Sequence, residues 1–349
     1  MRHPHGLRAA AGNVGGAAEL STAITVGHSS SPYISAYPWS PSGFGTKFAN
    51  PATLPTSTVI RHQFDRTGTA LVCAHGGSPY VTAYSWSGSG FGAKFANPST
   101  TPTGTGYGVA FTTANTEVAI SHLDSPFLSV YPWSGSGFGT KFSNPSPLPD
   151  FGTGWGVTFH PDDSAIVLAH QNSPYISAYE WSGSGFGTKF SDPSTVPTGA
   201  RTGAFSPDGT VLFVPSFTSP YIHAYSWSGS GFGTKYADPA TLPPDICTDL
   251  ALSHDGTVVA VSHATTPYVT AYPWSGSGFG AKFANPATLP TGLPFGIGFS
   301  ASSTAIAIGH QLFPRISAYR WSGSGFGTKY ANPSLFLPGD GRSIAFSPN

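Results

Sequence analysis

Ser31-Pro32-Tyr33-Ile34-Ser35-Ala36-Tyr37-Pro38-Trp39-Ser40 comes back six more times in nearly the same letters, and its tryptophan marks the count: Trp39, Trp86, Trp133, Trp181, Trp227, Trp274 and Trp321. The steps are 47, 47, 48, 46, 47 and 47 residues, with only Trp155 outside the series. A period in the forties with several strand signals per unit points to propeller blades rather than helical solenoids. The run itself favours a strand through its aromatic and β-branched residues. Seven units of one kind predict a single closed ring, although 349 residues could hold two domains.

Three more strands belong to each unit. An innermost strand has the form Gly108-Val109-Ala110-Phe111, and a turn such as Ser206-Pro207-Asp208-Gly209 follows it, with Pro setting φ and Asp-Gly closing the hairpin. The second strand is short and apolar, as in Val258-Val259-Ala260-Val261-Ser262-His263, and the repeated aromatic run is the third. A Gly-rich turn, Ser182-Gly183-Ser184-Gly185 in the fourth unit, leads into an outer strand, Phe186 to Phe190, which Asp192-Pro193 ends. The ends of the chain complete the pattern. Residues 1–20 do not match the repeat and read as a flexible arm, so the first unit lacks an innermost strand, while Ser343-Ile344-Ala345-Phe346-Ser347-Pro348 is a spare one. The prediction is all-β: residues 21–349 form a seven-bladed β-propeller of four-stranded antiparallel blades, closed by the C-terminal strand joining the N-terminal blade.

Composition agrees. With 44 Gly, 33 Pro and 25 Phe against 9% charged residues, the chain is poor in helix formers. Fifteen basic and fifteen acidic residues cancel, so no global field would draw nucleic acid or an anionic membrane. No stretch approaches 18 consecutive apolar residues, and Met1 to Arg8 leads into Ala and Gly without the apolar core of a secretion signal. Cys73 and Cys247 occupy different places in their units, which argues against a disulfide.

The units resemble WD40 or YVTN-type propeller repeats, and Phe205-Ser206-Pro207-Asp208-Gly209-Thr210 is the best match. The third strand ends in Trp-Ser where a WD40 repeat has Trp-Asp, and the Gly-His dipeptide of that family is missing. Gly- and aromatic-rich tandem repeats of this style are also similar to propellers predicted in bacteriophage particles. That resemblance implies a particle setting and no catalytic site. A fold by itself decides no function.

Comparison of the seven copies separates frame from variation. The Gly-rich turn and the lysine after it barely change, and Lys47, Lys94, Lys141, Lys189, Lys235, Lys282 and Lys329 are all the lysines in the chain, read as architectural. Variation gathers in two loops expected on the opposite face. One follows the second strand and holds Asp124 and Phe217; the other enters the innermost strand and places Ile60, Tyr107, Trp155, Arg201, Thr248, Phe295 and Arg342 at equivalent positions. Tyr107, Trp155, Arg201, Phe295, Arg342, Asp124 and Phe217 are therefore the candidate binding residues, with the aromatics as anchors. His28, His75, His122, His170, His263 and His310 end the second strands, with Ser216 in their place in the fifth unit. At a strand spacing of about 4.8 Å they would stand roughly 10 Å apart around the ring, whereas zinc needs ligand atoms at about 2 Å. They are read as a structural ring in which each imidazole bonds a backbone group of the adjoining loop and locks blade to blade, with Ser216 marking a weaker seam and no metal bound.

No Gly-x-Ser-x-Gly, His-Glu-x-x-His, EF-hand or phosphate-binding loop occurs. Arg61, His62, Asp65 and Asp249 alone add polarity near the innermost strands. The sequence-based expectation is a non-enzymatic structural or interaction protein without cofactor: a phage tail, fibre or capsid-associated component. It would be made in the cytoplasm, displayed on a particle surface, and bind other virion or surface proteins, a host receptor or a glycan. A glycan-binding propeller is the alternative, followed by a channel-centred lactonase or lyase-type enzyme.

Overall fold

The computed structural model describes residues 22–149 and 152–348. The expected flexible arm at residues 1–20 lies outside the described residues. Seven antiparallel sheets follow one another around a ring, with no helix among the described residues. In each blade the innermost strand pairs with the second, the second with the third, and the third with the outer strand. The second blade is typical: Val59–Phe64, Ala70–His75, Val81–Ser87 and Gly90–Lys94.

The ring closes as the chain ends predict. Gly341–Phe346 pairs antiparallel with Ala23–His28, from Ile24 opposite Phe346 to His28 opposite Gly341. Ser347 finishes the joint, its Oγ accepting from the amides of Thr22 and Ala23 at 3.0 Å each. A sheet edge that would otherwise stand open is thereby covered.

Prolines trim the strands. Outer strands run four or five residues in blades 2, 4, 5 and 7. In blade 1 the outer strand is two residues, Gly43–Phe44, and in blades 3 and 6 it is reduced to the single bridges Trp133↔Phe138 and Trp274↔Phe279. These three blades are the ones with Pro38, Pro132 and Pro273 before the tryptophan. The tryptophan amide is spent on the second-strand side, as in Trp39 N–H to Thr22 O at 2.9 Å. The preceding residue's nitrogen therefore faces the outer strand, and proline has no hydrogen there to give.

Blades are joined by aromatic side chains. Trp86 meets Phe91 of its own outer strand, Phe64 of its innermost strand and Phe48 of the preceding blade, edge to face at centroid distances of 5.1, 5.1 and 5.7 Å. Such pairs add about 0.5–1.5 kcal/mol each beyond their buried area. The tyrosine two residues earlier is fully buried, and its hydroxyl donates to a carbonyl in the loop arriving from the previous blade: Tyr37 to Leu335 at 2.7 Å, Tyr84 to Thr53 at 2.8 Å. Conservation of the Tyr-x-Trp pair within the repeat thus has a mechanical cause, since it is the blade-to-blade fastener.

The histidines bond the adjoining loop, as expected, and also tie strand to strand. His28 Nε2 meets Ser35 Oγ at 3.0 Å, His75 meets Thr82 at 2.8 Å and His122 meets Ser129 at 3.0 Å, each pair tying second strand to third inside one blade. Nδ1 faces the next loop, as in His28 to Ser30 O at 2.7 Å. In blades 2 and 3, Nδ1 also lies 3.3 Å from Thr56 Oγ1 and Thr103 Oγ1, in the loops that arrive from the preceding blade. Ser216 leaves no gap. In blade 5 the pair is exchanged, with Ser216 on the second strand and His223 on the third, Nε2 to Oγ 3.2 Å.

Candidate functional site

Reversal of strand direction brings the ends of all second strands and the starts of all innermost strands to one face. The seven equivalent residues Ile60, Tyr107, Trp155, Arg201, Thr248, Phe295 and Arg342, one per blade, line a single cavity of about 490 Å³ at the mouth of the central channel. They are half-buried and turned toward one another. On one arc, Tyr107 and Trp155 pack edge to face at 4.7 Å, and the Arg201 guanidinium lies 4.2 Å from the Trp155 ring and 4.0 Å from Phe217. On the facing arc, Arg342 lies 4.0 Å over Phe295 and pairs with Asp340 at 3.2 Å. Cation–π contacts of this kind contribute about 0.5–2 kcal/mol, more as water is excluded.

Of the other residues singled out from sequence, Phe217 joins this group through Arg201. Asp124 does not. It is exposed in a loop of blade 3, where its backbone carbonyl accepts from Thr103 Oγ1 at 3.1 Å. The lysines stay apart as well: each bends back onto its own chain, Lys94 Nζ reaching Asn97 Oδ1 at 2.5 Å and Phe95 O at 3.2 Å.

The sequence marks Arg61 and Asp249 as polar residues near the innermost strands, but does not show that they pair beneath the mouth cavity. Arg61 of blade 2 crosses the channel to Asp249 of blade 6, Nη1 to Oδ2 2.8 Å, and also donates to Phe295 O at 3.2 Å. The position both residues occupy is Gly108, Gly156, Thr202, Gly296 or Ser343 in the other blades, so only here can side chains meet across the axis. Asp249 also accepts from the Ile297 amide at 3.1 Å. Burial pushes its carboxyl above the usual carboxylate range, and Arg61 and the Ile297 amide pull the other way. Burial, with Arg61 nearby, lowers Arg201 to about 10, which keeps it charged at neutral pH.

Arg61 lines the mouth cavity and also a second, more polar cavity of about 590 Å³ filling the lower channel, where Asp249 is found. In that lower part His62 bridges Ser343 Oγ at 2.6 Å and Thr25 Oγ1 at 2.8 Å. Thr25 in turn donates to Ala345 O at 3.1 Å, which makes its oxygen the acceptor from His62 Nε2–H and leaves Nδ1 to accept from Ser343. Burial drives His62 down to about 3, so it is a neutral stitch between blades 1 and 2.

No protein-family model and no curated protein sequence matches the chain. Solved structures do match in shape. A candidate 6-phosphogluconolactonase from Bacteroides uniformis is 15% identical, with a TM-score of 0.73 over 94% of this chain and 99% of that one. A periplasmic gluconolactonase from Pseudomonas aeruginosa is 13% identical, with a TM-score of 0.68 over 93% and 99%. Hydrazine synthase from Kuenenia stuttgartiensis is 14% identical, with a TM-score of 0.63 over 83% and 90%. At these identities the likeness carries the fold. It also corrects two expectations, that of a virion component and that of a non-enzyme: propellers of this build are named as lactonases. The physical reason agrees with the correction. The variable residues were expected to present an outward contact face, and they instead close around a concavity of small-molecule size.

Proposed function

We propose that the protein hydrolyses a small sugar-type lactone at the channel mouth. The observation that carries this reading is the Arg61–Asp249 pair, a guanidinium that lines the aromatic-walled mouth cavity and a buried carboxylate of raised pKa that holds it from the lower-channel side. Lactone opening needs a base to take a proton from water and a fixed positive charge where the carbonyl oxygen becomes anionic. Asp249 supplies the first and Arg61 the second. Water on the carboxylate side attacks the carbonyl carbon, and its proton passes to Asp249. The tetrahedral intermediate, its oxyanion facing Arg61, collapses by breaking the ring C–O bond. The departing oxygen recovers the proton, and the product is the open hydroxy acid. The names 6-phosphogluconolactonase and gluconolactonase among propellers of the same shape support this class of substrate.

The test is acid release in a pH-stat from D-glucono-1,5-lactone and its 6-phosphate, corrected for spontaneous opening. Asp249→Asn should lower kcat by at least about 100-fold, within the usual contribution of a general base. Its melting temperature should stay close to that of the parent. No acceleration over buffer by the parent protein, or an Asp249→Asn variant of full activity, overturns the proposal.

A further inference from the structure

We propose that Arg201 is the anion receptor of the mouth cavity, and that it is carried on a segment which Pro215 keeps out of the sheet so that it can close on the ligand. The inference rests on the reading that the mouth cavity is the ligand site. Three guanidiniums reach this cavity, and two of them are matched: Arg61 by Asp249 and Arg342 by Asp340. Arg201 has no such match. Among the described residues no carboxylate or carbonyl accepts from its guanidinium, whose contacts are the faces of Trp155 and Phe217. Two aromatic faces hold the plane of the group while leaving its five N–H donors unspent. A charge half-buried in that state is best completed by an incoming anion able to take two parallel hydrogen bonds, a carboxylate or a phosphate.

The backbone beneath Arg201 differs from that of every other blade. Six innermost strands run six residues, whereas in blade 5 only Ala204–Phe205 is laddered. Register explains the difference. In blade 2, Arg61 lies opposite Ala74, and the next amide, that of His75, is spent on Tyr80 O just before the third strand, so the Ala74 amide faces the innermost strand. In blade 5 the Ser216 amide makes the same turn bond, to Tyr221 O at 2.9 Å, which puts Pro215 in the place of Ala74. The other blades have Gly27, Ser121, Ala169, Ser262 and Gly309 there, all with an amide hydrogen. Proline has none, and the ladder stops short of Thr202 and Gly203. One backbone bond remains, Arg201 N–H to Pro215 O at 3.2 Å. The single blade that loses its inner ladder is thus the one that presents the unmatched cation, and Phe217, which covers that cation, replaces the small or polar residue that follows the histidine in most other units.

The test uses the full chain with inorganic phosphate and D-gluconate as probes. Binding is read by calorimetry and by Trp155 fluorescence, with Trp155→Phe as the control for the signal. Arg201→Met should weaken both anions at least tenfold, and Arg201→Lys should weaken them less. Hydrogen exchange at Thr202 should be at least tenfold faster than at Asp249, its counterpart in blade 6, and gluconate should slow it. In Pro215→Ala the exchange should already be slow without ligand. Equal affinities in the parent and in folded Arg201→Met overturn the receptor assignment. A Pro215→Ala protein that exchanges as fast as the parent overturns the role of the proline. If the parent hydrolyses lactone yet binds neither anion, this inference falls and the proposed function stands. If it neither hydrolyses nor binds, both fall together.

Discussion

Acid should unfold this protein abruptly, between pH 6 and pH 4.5, because of its histidine ring. His28, His75, His122, His223, His263 and His310 are each lowered by burial from 6.5 to about 4, and His62 to about 3. Above pH 6.5 these groups are neutral in both folded and unfolded chains and contribute no pH dependence. As the pH falls below 6.5 the unfolded chain takes up protons that the folded chain refuses, so stability is lost until the folded groups titrate near 4. One pKa unit is about 1.4 kcal/mol, which makes each histidine worth about 3 kcal/mol across that window. Near pH 5 about six protons separate the two states, a slope of about 8 kcal/mol per pH unit. A domain stable by about 5–15 kcal/mol is exhausted within one or two units of such a slope. Asp162, Asp208, Asp245 and Asp255, lowered by their hydrogen bonds, lose their contribution only below the ordinary carboxylate pKa and do not act in this range. Urea unfolding at pH steps from 7.5 to 4.5 gives the proton uptake from the slope. An uptake of about two or fewer would rule out the buried histidines as the cause. His122→Gln should cost stability at pH 7 and reduce the uptake by about one.

Other outcomes follow from the same packing. Deletion of Ser343 to Asn349 removes the strand that closes blade 1, and aggregation or a large fall in Tm is expected; retained Tm in a scanning calorimeter would show that the joint is dispensable. Trp86→Ala leaves three edge-to-face partners without their centre and should cost about 3–5 kcal/mol in chemical denaturation. Tyr107→Ala with Trp155→Ala should change stability by about 1 kcal/mol and raise KM for lactone by at least tenfold; an unfolded double variant would mean that these rings hold the blades rather than the ligand. Activity in the parent should fall on an acidic limb lying above the ordinary carboxylate range, as the raised Asp249 requires, and a pH–rate profile flat down to pH 4 in the time before unfolding would exclude Asp249 as base.

The fold could be read because it is periodic. Trp39 and its six counterparts gave the blade count, and the unmatched ends at Thr22 and Phe346 gave the closure. Even the seven cavity-lining positions were identified, since a residue that varies while its neighbours repeat stands out against six internal controls. What that comparison could not supply was the direction in which they face. Tyr107 and Trp155 look the same in sequence whether they form an outward patch or the wall of a hole, and the choice depends on the width of the channel, which no single repeat encodes. The expected contact surface became a cavity for that reason.

The same limit explains Arg61 and Asp249, which are 188 residues apart and meet only because three glycines of equivalent position leave the axis clear. Departures from a repeat are of two kinds, and proline shows how to tell them apart. Pro38, Pro132 and Pro273 remove an amide that would face the outer strand, at the rim, where a shortened ladder is tolerated and the same change recurs in three blades. Pro215 removes one that would face the channel, and it occurs once. A recurrent lapse at the periphery is compatible with a frame under little local demand. A solitary lapse beneath the one cavity arginine without a counter-ion instead coincides with the place where the blades stop being equivalent, and a ring of near-identical units can build an asymmetric site only by breaking its own repeat there.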